Sequence, residues 1–204
     1  MKKNYWVWGV VIFAVIVSLF FDNLIIKNIS IMRSGFFNDF FLGITFLSSE
    51  IIIFFFLTIL FLWKEHKRKW IFPLWITLGF SVIVSFILKF LVKRQRPFQT
   101  GIVSVLPILE KASYGIWNFS FPSFHTMLCF CAVPLLSKEF PKLKLVWILF
   151  ASLVGISRMY FGLHFLSDVL VGAVIGYLIG VLIIKLENKT HFTEKIYKKL
   201  NLKI

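Results

Sequence analysis

An all-α bundle of six transmembrane helices is the fold this sequence predicts, and three observations carry it. Apolar runs of about 20 residues recur along the chain, the length that crosses a hydrocarbon core of ~30 Å at ~1.5 Å per residue. The composition is 59% hydrophobic, with 26 Phe and a mean hydropathy of +0.87, more apolar surface than a soluble domain of this size needs. The charges collect between the runs instead of alternating through them, which argues against a β-barrel.

The first run, residues 5–26, follows Lys2 and Lys3. It resembles a signal peptide in layout, but no small-x-small site follows, so it is expected to remain as the first span. A polar connection with Lys27, Arg33 and Asp39 leads to the second run, 40–63, which stops at Lys64-Glu65-His66-Lys67-Arg68-Lys69. The third run, 70–92, carries Lys89 near its end, and Pro97 closes the helix beyond it. The connection that follows holds Pro107, Trp117, Phe119 and Phe121; its rings suit the headgroup region, either as an anchor or as a cap over a headgroup. The fourth run, 122–137, is short and contains Pro134, a candidate kink. The fifth and sixth runs cover 145–162 and 165–186. Phe192, Ile196, Tyr197 and Leu200 give the polar tail a helical spacing suited to a membrane surface. No repeat and no second domain is evident, so residues 1–204 read as one domain.

The formal net charge is +14. A nucleic-acid partner would need these cations on one accessible surface; their place between apolar runs makes the bilayer the simpler partner. With six spans, fifteen Lys and Arg fall on the side of the termini and eight on the other. The positive-inside rule then places both termini in the cytoplasm. Cys129 and Cys131 stand at i and i+2 in one apolar run, point apart on a helix, and read as packing groups.

Three polar stretches converge on the outer side in this topology. Lys89, Lys93 and Arg96 share a helical face if the third helix continues to Pro97; they form an anion clamp or a basic interfacial anchor. Pro122-Ser123-Phe124-His125 opens the fourth helix, where free N–H groups attract phosphate, Ser123 can donate and His125 can move a proton. Arg158 ends the fifth helix, and His164 and Asp168 stand at i and i+4 at the start of the sixth, a spacing that lets a carboxylate hold an imidazole. Alone, that trio would equally suit a structural ion cluster. Together, the cations, helix N-terminus and two histidines suit a phosphate group. Glu50 lies in the outer half of the second run and is a candidate for the same cavity or for a separate buried partner. Gly172, Gly176 and Gly180 continue the Asp168 face and predict close packing of the sixth helix against a neighbour.

These residues resemble the three-part signature of the type 2 phosphatidic acid phosphatase (PAP2) superfamily, which includes membrane lipid phosphatases and soluble haloperoxidases. K-x6-R-P matches Lys89, Arg96 and Pro97. S-R-x5-H-x3-D matches Ser157, Arg158, His164 and Asp168. P-S-G-H matches Pro122, Ser123 and His125, with Phe124 in place of the glycine. The resemblance implies a PAP2/haloperoxidase-like core and a metal-independent, cofactor-free phosphatase acting on a membrane lipid phosphate or diphosphate. Undecaprenyl diphosphate, phosphatidylglycerol phosphate and lipid A are the bacterial candidates. It implies His164 as the nucleophile that forms a phosphohistidine, Asp168 as its orienting carboxylate and His125 as acid and base. Lys89, Arg96, Ser123 and Arg158 would hold the phosphoryl oxygens, at an outward-facing site in the cytoplasmic membrane. Phe124 keeps transfer to an alcohol as a rival to hydrolysis. A non-catalytic lipid or ion carrier is the other alternative.

Overall fold

The computed structural model describes residues 5–104 and 119–199, all helix and connecting turns among those residues. Pro107 and Trp117, and the tail residue Leu200, lie outside the described residues. Among the described residues, four helical stretches are long and apolar enough to cross a membrane: Gly9–Ile31, Glu65–Val92, Pro141–Tyr160 and Leu166–Thr190; a bent pair of helices makes up to a fifth.

Helix α1 covers Tyr5–Ile31, running past the expected end by the five residues from Lys27 to Ile31. It buries a narrow stripe of Ser18, Asp22 and Ile26 and exposes Phe13, Phe20 and Leu24, the pattern of a helix with lipid on most sides. The second run is two helices, not one. Helix α2 (Gly35–Leu47) and α3 (Glu50–Leu62) meet at 59°. Two serines make the break: Ser48 Oγ turns back to the Thr45 carbonyl, and Ser49 caps α3 by accepting from the Ile52 N–H. Such a cap satisfies an orphan donor of the new helix. The break makes Glu50 the first residue of α3, where the helix dipole favours a carboxylate.

The basic run before the third span forms a 3-10 turn, Glu65–Trp70, whose Lys67 is buried over the Phe140 ring. Helix α4 covers Ile71–Val92 and buries Thr77, Ser81, Ser85 and Lys89 along one face. Helix α5 (Phe124–Glu139) is only 16 residues long and is buried on most of its surface. It occupies the centre of the bundle. Helix α6 covers Lys144–Tyr160 and α7 covers Leu166–Thr190.

The predicted glycine stripe is the seam between α5 and α7. A Cβ added at Gly172 would lie 2.6 Å from the Ser123 carbonyl oxygen, and one at Gly176 or Gly180 would come closer still to the Met127 or Cys131 carbonyl. Backbone meets backbone there, which only glycine permits. The tail forms α8 (Phe192–Lys199). It is fastened to protein: Tyr197 is buried, meets the Phe72 ring edge-on at 5.2 Å and donates to the Arg68 carbonyl.

Candidate active site

The site is assembled where α4 and α6 end and α5 and α7 begin. Glu50, Lys89, Arg96, Phe124, His125, Arg158 and His164 line one cavity of about 120 Å³. That is roughly the volume of four liquid waters, room for a phosphoryl group. Three cations face one carboxylate in it, an excess of buried positive charge that calls for an anion.

Local sequence places each group. Lys89 is 1% exposed in the last turn of α4, and its Nζ donates to the Phe119 carbonyl at 2.5 Å. The helix does not continue through Arg96, as the shared-face expectation required. Lys93 stops it in the left-handed conformation (φ 51°) and lies exposed with its Nζ 4.9 Å over Phe90. Lys93 therefore stays out of the cavity. Arg96 reaches it from a loop pinned by the Phe98 N–H to the Gly162 carbonyl and by the Ser120 N–H to the Arg94 carbonyl. Burial lowers the Arg96 pKa to about 10, with Asp168 opposing that shift; the guanidinium remains charged at neutral pH.

Arg158 sits in the last turn of α6, where cations are favoured. It is buried, and its Nε has no hydrogen-bond partner among the described residues, a donor available to an oxyanion. Beyond it, Gly162 (φ 69°) reverses the chain, and the Leu163 and His164 N–H groups both return to the Arg158 carbonyl. That glycine end carries His164 back beside Arg158.

His164 is 2% exposed. Its Nδ1 lies 2.6 Å from the Ser120 carbonyl oxygen and 3.9 Å from Asp168 Oδ2. A carbonyl oxygen only accepts, so Nδ1 carries the proton and Nε2 keeps its lone pair. Burial, then Lys89, Arg96, Arg158 and His125, hold the His164 pKa well below the ordinary histidine value. The ring is neutral at pH 7. Asp168 is thus not the direct partner of the imidazole. Its Oδ2 accepts from the Phe165 N–H at the start of α7 and from the Ser120 hydroxyl. Ser120 links the two, and no motif spacing pointed to it.

Phe124 and His125 begin α5 after a cis Phe121–Pro122 bond. Phe124 is helical, so no positive φ is required where a glycine was expected; its buried ring forms a cavity wall beside His125. Ser123 is buried with its hydroxyl 2.9 Å from Thr126 Oγ1, and its N–H donates to the Asp168 carbonyl. It braces α5 against α7 and does not line the cavity. Glu50 does, and it also begins an apolar groove of about 460 Å³ walled by Phe54, Trp75, Leu78 and Val82 of α3 and α4.

A second set of charges lies behind the first. Arg94 Nη1 meets Asp168 Oδ1 at 2.7 Å, and its Nη2 meets Asp22 Oδ2 at 2.8 Å. Asp22 also accepts from the Ser167 N–H and hydroxyl. Sequence reasoning passed over both residues, although a carboxylate within a membrane span is by itself a signal of a buried partner.

A cationic cavity around two histidines lies at the joined ends of membrane helices, a setting suited to an anion. The family model of the PAP2 superfamily matches residues 69–192, and the chain belongs to that superfamily, in its membrane lipid phosphatase branch. Phosphatidylglycerophosphatase B of Bacillus subtilis is 31% identical over 79% of this chain and 81% of its own. The Bacitracin transport permease protein BcrC of Bacillus licheniformis is 32% identical over 53% of each chain. Among solved structures, the transmembrane PAP2-type phosphatidylglycerolphosphate phosphatase of Bacillus subtilis superposes with a TM-score of 0.71 at 24% identity, covering 93% of this chain and 98% of that one. LpxE of Aquifex aeolicus does so at 0.62 and 29%, covering 79% and 93%.

Proposed function

We propose that the protein hydrolyses a lipid phosphate or diphosphate through a phosphohistidine at His164. The observation that carries this reading is the cavity itself: a neutral His164 with Nε2 free, enclosed with His125, Lys89, Arg96 and Arg158. Nε2 attacks phosphorus as the bond to the leaving oxygen breaks, and His125 gives that oxygen a proton. His125 then takes a proton from water, whose oxygen displaces His164 and releases inorganic phosphate. Lys89, Arg96 and Arg158 hold the charge spread over the phosphoryl oxygens. The adjoining apolar groove suits the chain of a lipid substrate; the phosphatidylglycerolphosphate phosphatase relatives put phosphatidylglycerol phosphate on the panel to test, beside the undecaprenyl diphosphate and lipid A that the family resemblance suggests.

In this reading α5 is the sixth crossing. At ~1.5 Å per residue its 16 residues span about 24 Å, and its neighbours cover it, so it need not match the full bilayer. The positive-inside count puts the site outside and both termini in the cytoplasm. A C-terminal reporter that reads as exported would reverse that orientation.

Transfer to an alcohol remains a second reading, because the apolar ring of Phe124 walls the cavity beside His125 and favours an amphipathic acceptor there over water. Thin-layer analysis of purified protein against the lipid panel separates the cases. Hydrolysis releases inorganic phosphate, transfer moves it to a second lipid or alcohol, and a carrier does neither. His164→Ala should reduce turnover by about 10³-fold or more; unchanged turnover overturns the mechanism.

A further inference from the structure

We infer that Asp22 of the first helix and Arg94 are positioning residues for the nucleophile, so that α1 is part of the catalytic framework as well as a membrane span. The inference rests on the phosphohistidine reading of His164 and adds to it Asp22, outside the three signature motifs, and Arg94, at one of the unspecified positions of the first.

The contacts form one unbroken path. Asp22 Oδ2 meets Arg94 Nη2 at 2.8 Å, Arg94 Nη1 meets Asp168 Oδ1 at 2.7 Å, Asp168 Oδ2 accepts from the Ser120 hydroxyl, and the Ser120 carbonyl holds His164 Nδ1 at 2.6 Å. Asp22 and Asp168 are 2% and 0% exposed. Arg94 is further fixed by the face of Phe165, 4.0 Å from the guanidinium, an arrangement suited to arginine and not to lysine. Asp22 also caps the first turn of α7 through the Ser167 N–H at 2.9 Å. The helix that follows His164 is therefore tied to α1 at its first residues.

Charge explains why two carboxylates are used. A single guanidinium on Asp168 alone would cancel it. Shared with Asp22, Arg94 leaves the trio with one net negative charge. That charge faces His164 through Ser120. The ring becomes cationic when Nε2 takes the phosphoryl group while Nδ1 keeps its proton, and a net negative trio stabilises that state. The role predicts an effect on turnover more than on substrate binding, because neither residue lines the cavity.

The test uses purified full-length protein and dioctanoyl phosphatidic acid in detergent micelles, measuring kcat and KM separately. Arg94→Gln should lower kcat by about 10–100-fold and Asp22→Asn by about 10-fold, as loss of supporting partners does at other sites, with KM within about threefold. In the double variant the losses should not multiply, because both act through one path. Arg94→Lys should recover part of the loss, since it keeps the charge without the two-pronged geometry. A thermal unfolding curve accompanies each variant; if Arg94→Gln does not fold, Asp22→Asn and Arg94→Lys decide by the same criteria. Folded variants with kcat within twofold of the parent, a loss confined to KM, or multiplicative losses would each overturn the inference. His164→Ala in the same assay separates the two levels. If it stays active, the phosphohistidine reading fails. If it is inactive while the Arg94 and Asp22 variants match the parent, only the positioning role fails.

Discussion

Gly172→Ala is the substitution that most directly tests how the bundle builds its site. The new methyl group would lie 2.6 Å from the Ser123 carbonyl oxygen, 3.4 Å from Ser123 C and 3.4 Å from Ser123 N. Ordinary contact begins at 3.4 Å, so α5 and α7 must part by about 0.8 Å at this level. Neither side can yield by turning a rotamer, because the atoms met are backbone. Overpacking of this kind costs about 1–3 kcal/mol. Function suffers as well, because Ser123 stands two residues before His125 and its N–H holds the Asp168 carbonyl at 3.0 Å. The separation shifts the acid against the nucleophile, and a displacement near 1 Å costs about 10²-fold in rate. Phosphate release from dioctanoyl phosphatidic acid should fall by roughly that factor, with KM little changed. The apparent melting temperature in detergent should drop modestly. Parental kcat with an unchanged melting curve would refute the claim that the α5–α7 seam sets the catalytic geometry.

Other expectations follow from the same geometry. Lys93→Ala should change kcat/KM by less than about twofold, as an exposed side chain away from the cavity does; a tenfold loss would return it to the site. Phe124→Ala should destabilise the protein by about 3 kcal/mol or more through its core contacts, and in the presence of glycerol should move the product ratio from glycerol phosphate toward inorganic phosphate. The His164 pKa is depressed in the folded state, so the folded protein binds fewer protons here than the unfolded chain. Its contribution to stability is full above the unfolded value of about 6.5 and falls as pH drops toward the folded value. The melting temperature of the parent should therefore decline more between pH 7 and 5 than that of His164→Gln; parallel declines would contradict it.

What the sequence determined by itself is the membrane class, the all-α character and the short list of chemical groups. Long apolar runs admit one backbone solution in lipid, because every peptide group must be satisfied within its own helix. The spacing of Lys89 to Arg96 and of Arg158 to Asp168 brings the right residue types near helix ends, and the glycine stripe foretold close packing of α7, though not that α5 would be its neighbour. Tertiary structure alone decided which groups meet. Lys93 and Arg96 were separated by a left-handed residue that hydrophobic periodicity does not reveal. One run became two helices because Ser48 and Ser49 outcompeted a continuous backbone ladder, which set Glu50 at a helix start on the cavity wall. The direct partner of His164 is a carbonyl of Ser120, not the carboxylate four residues on, since a backbone acceptor leaves no signature in residue type. Asp22 and Arg94 lie 72 residues apart, and their ion pair exists only because α1 packs against the start of α7. Spacing along one helix is local and legible; contact between helices depends on how whole faces pack, and that is settled only when the bundle closes.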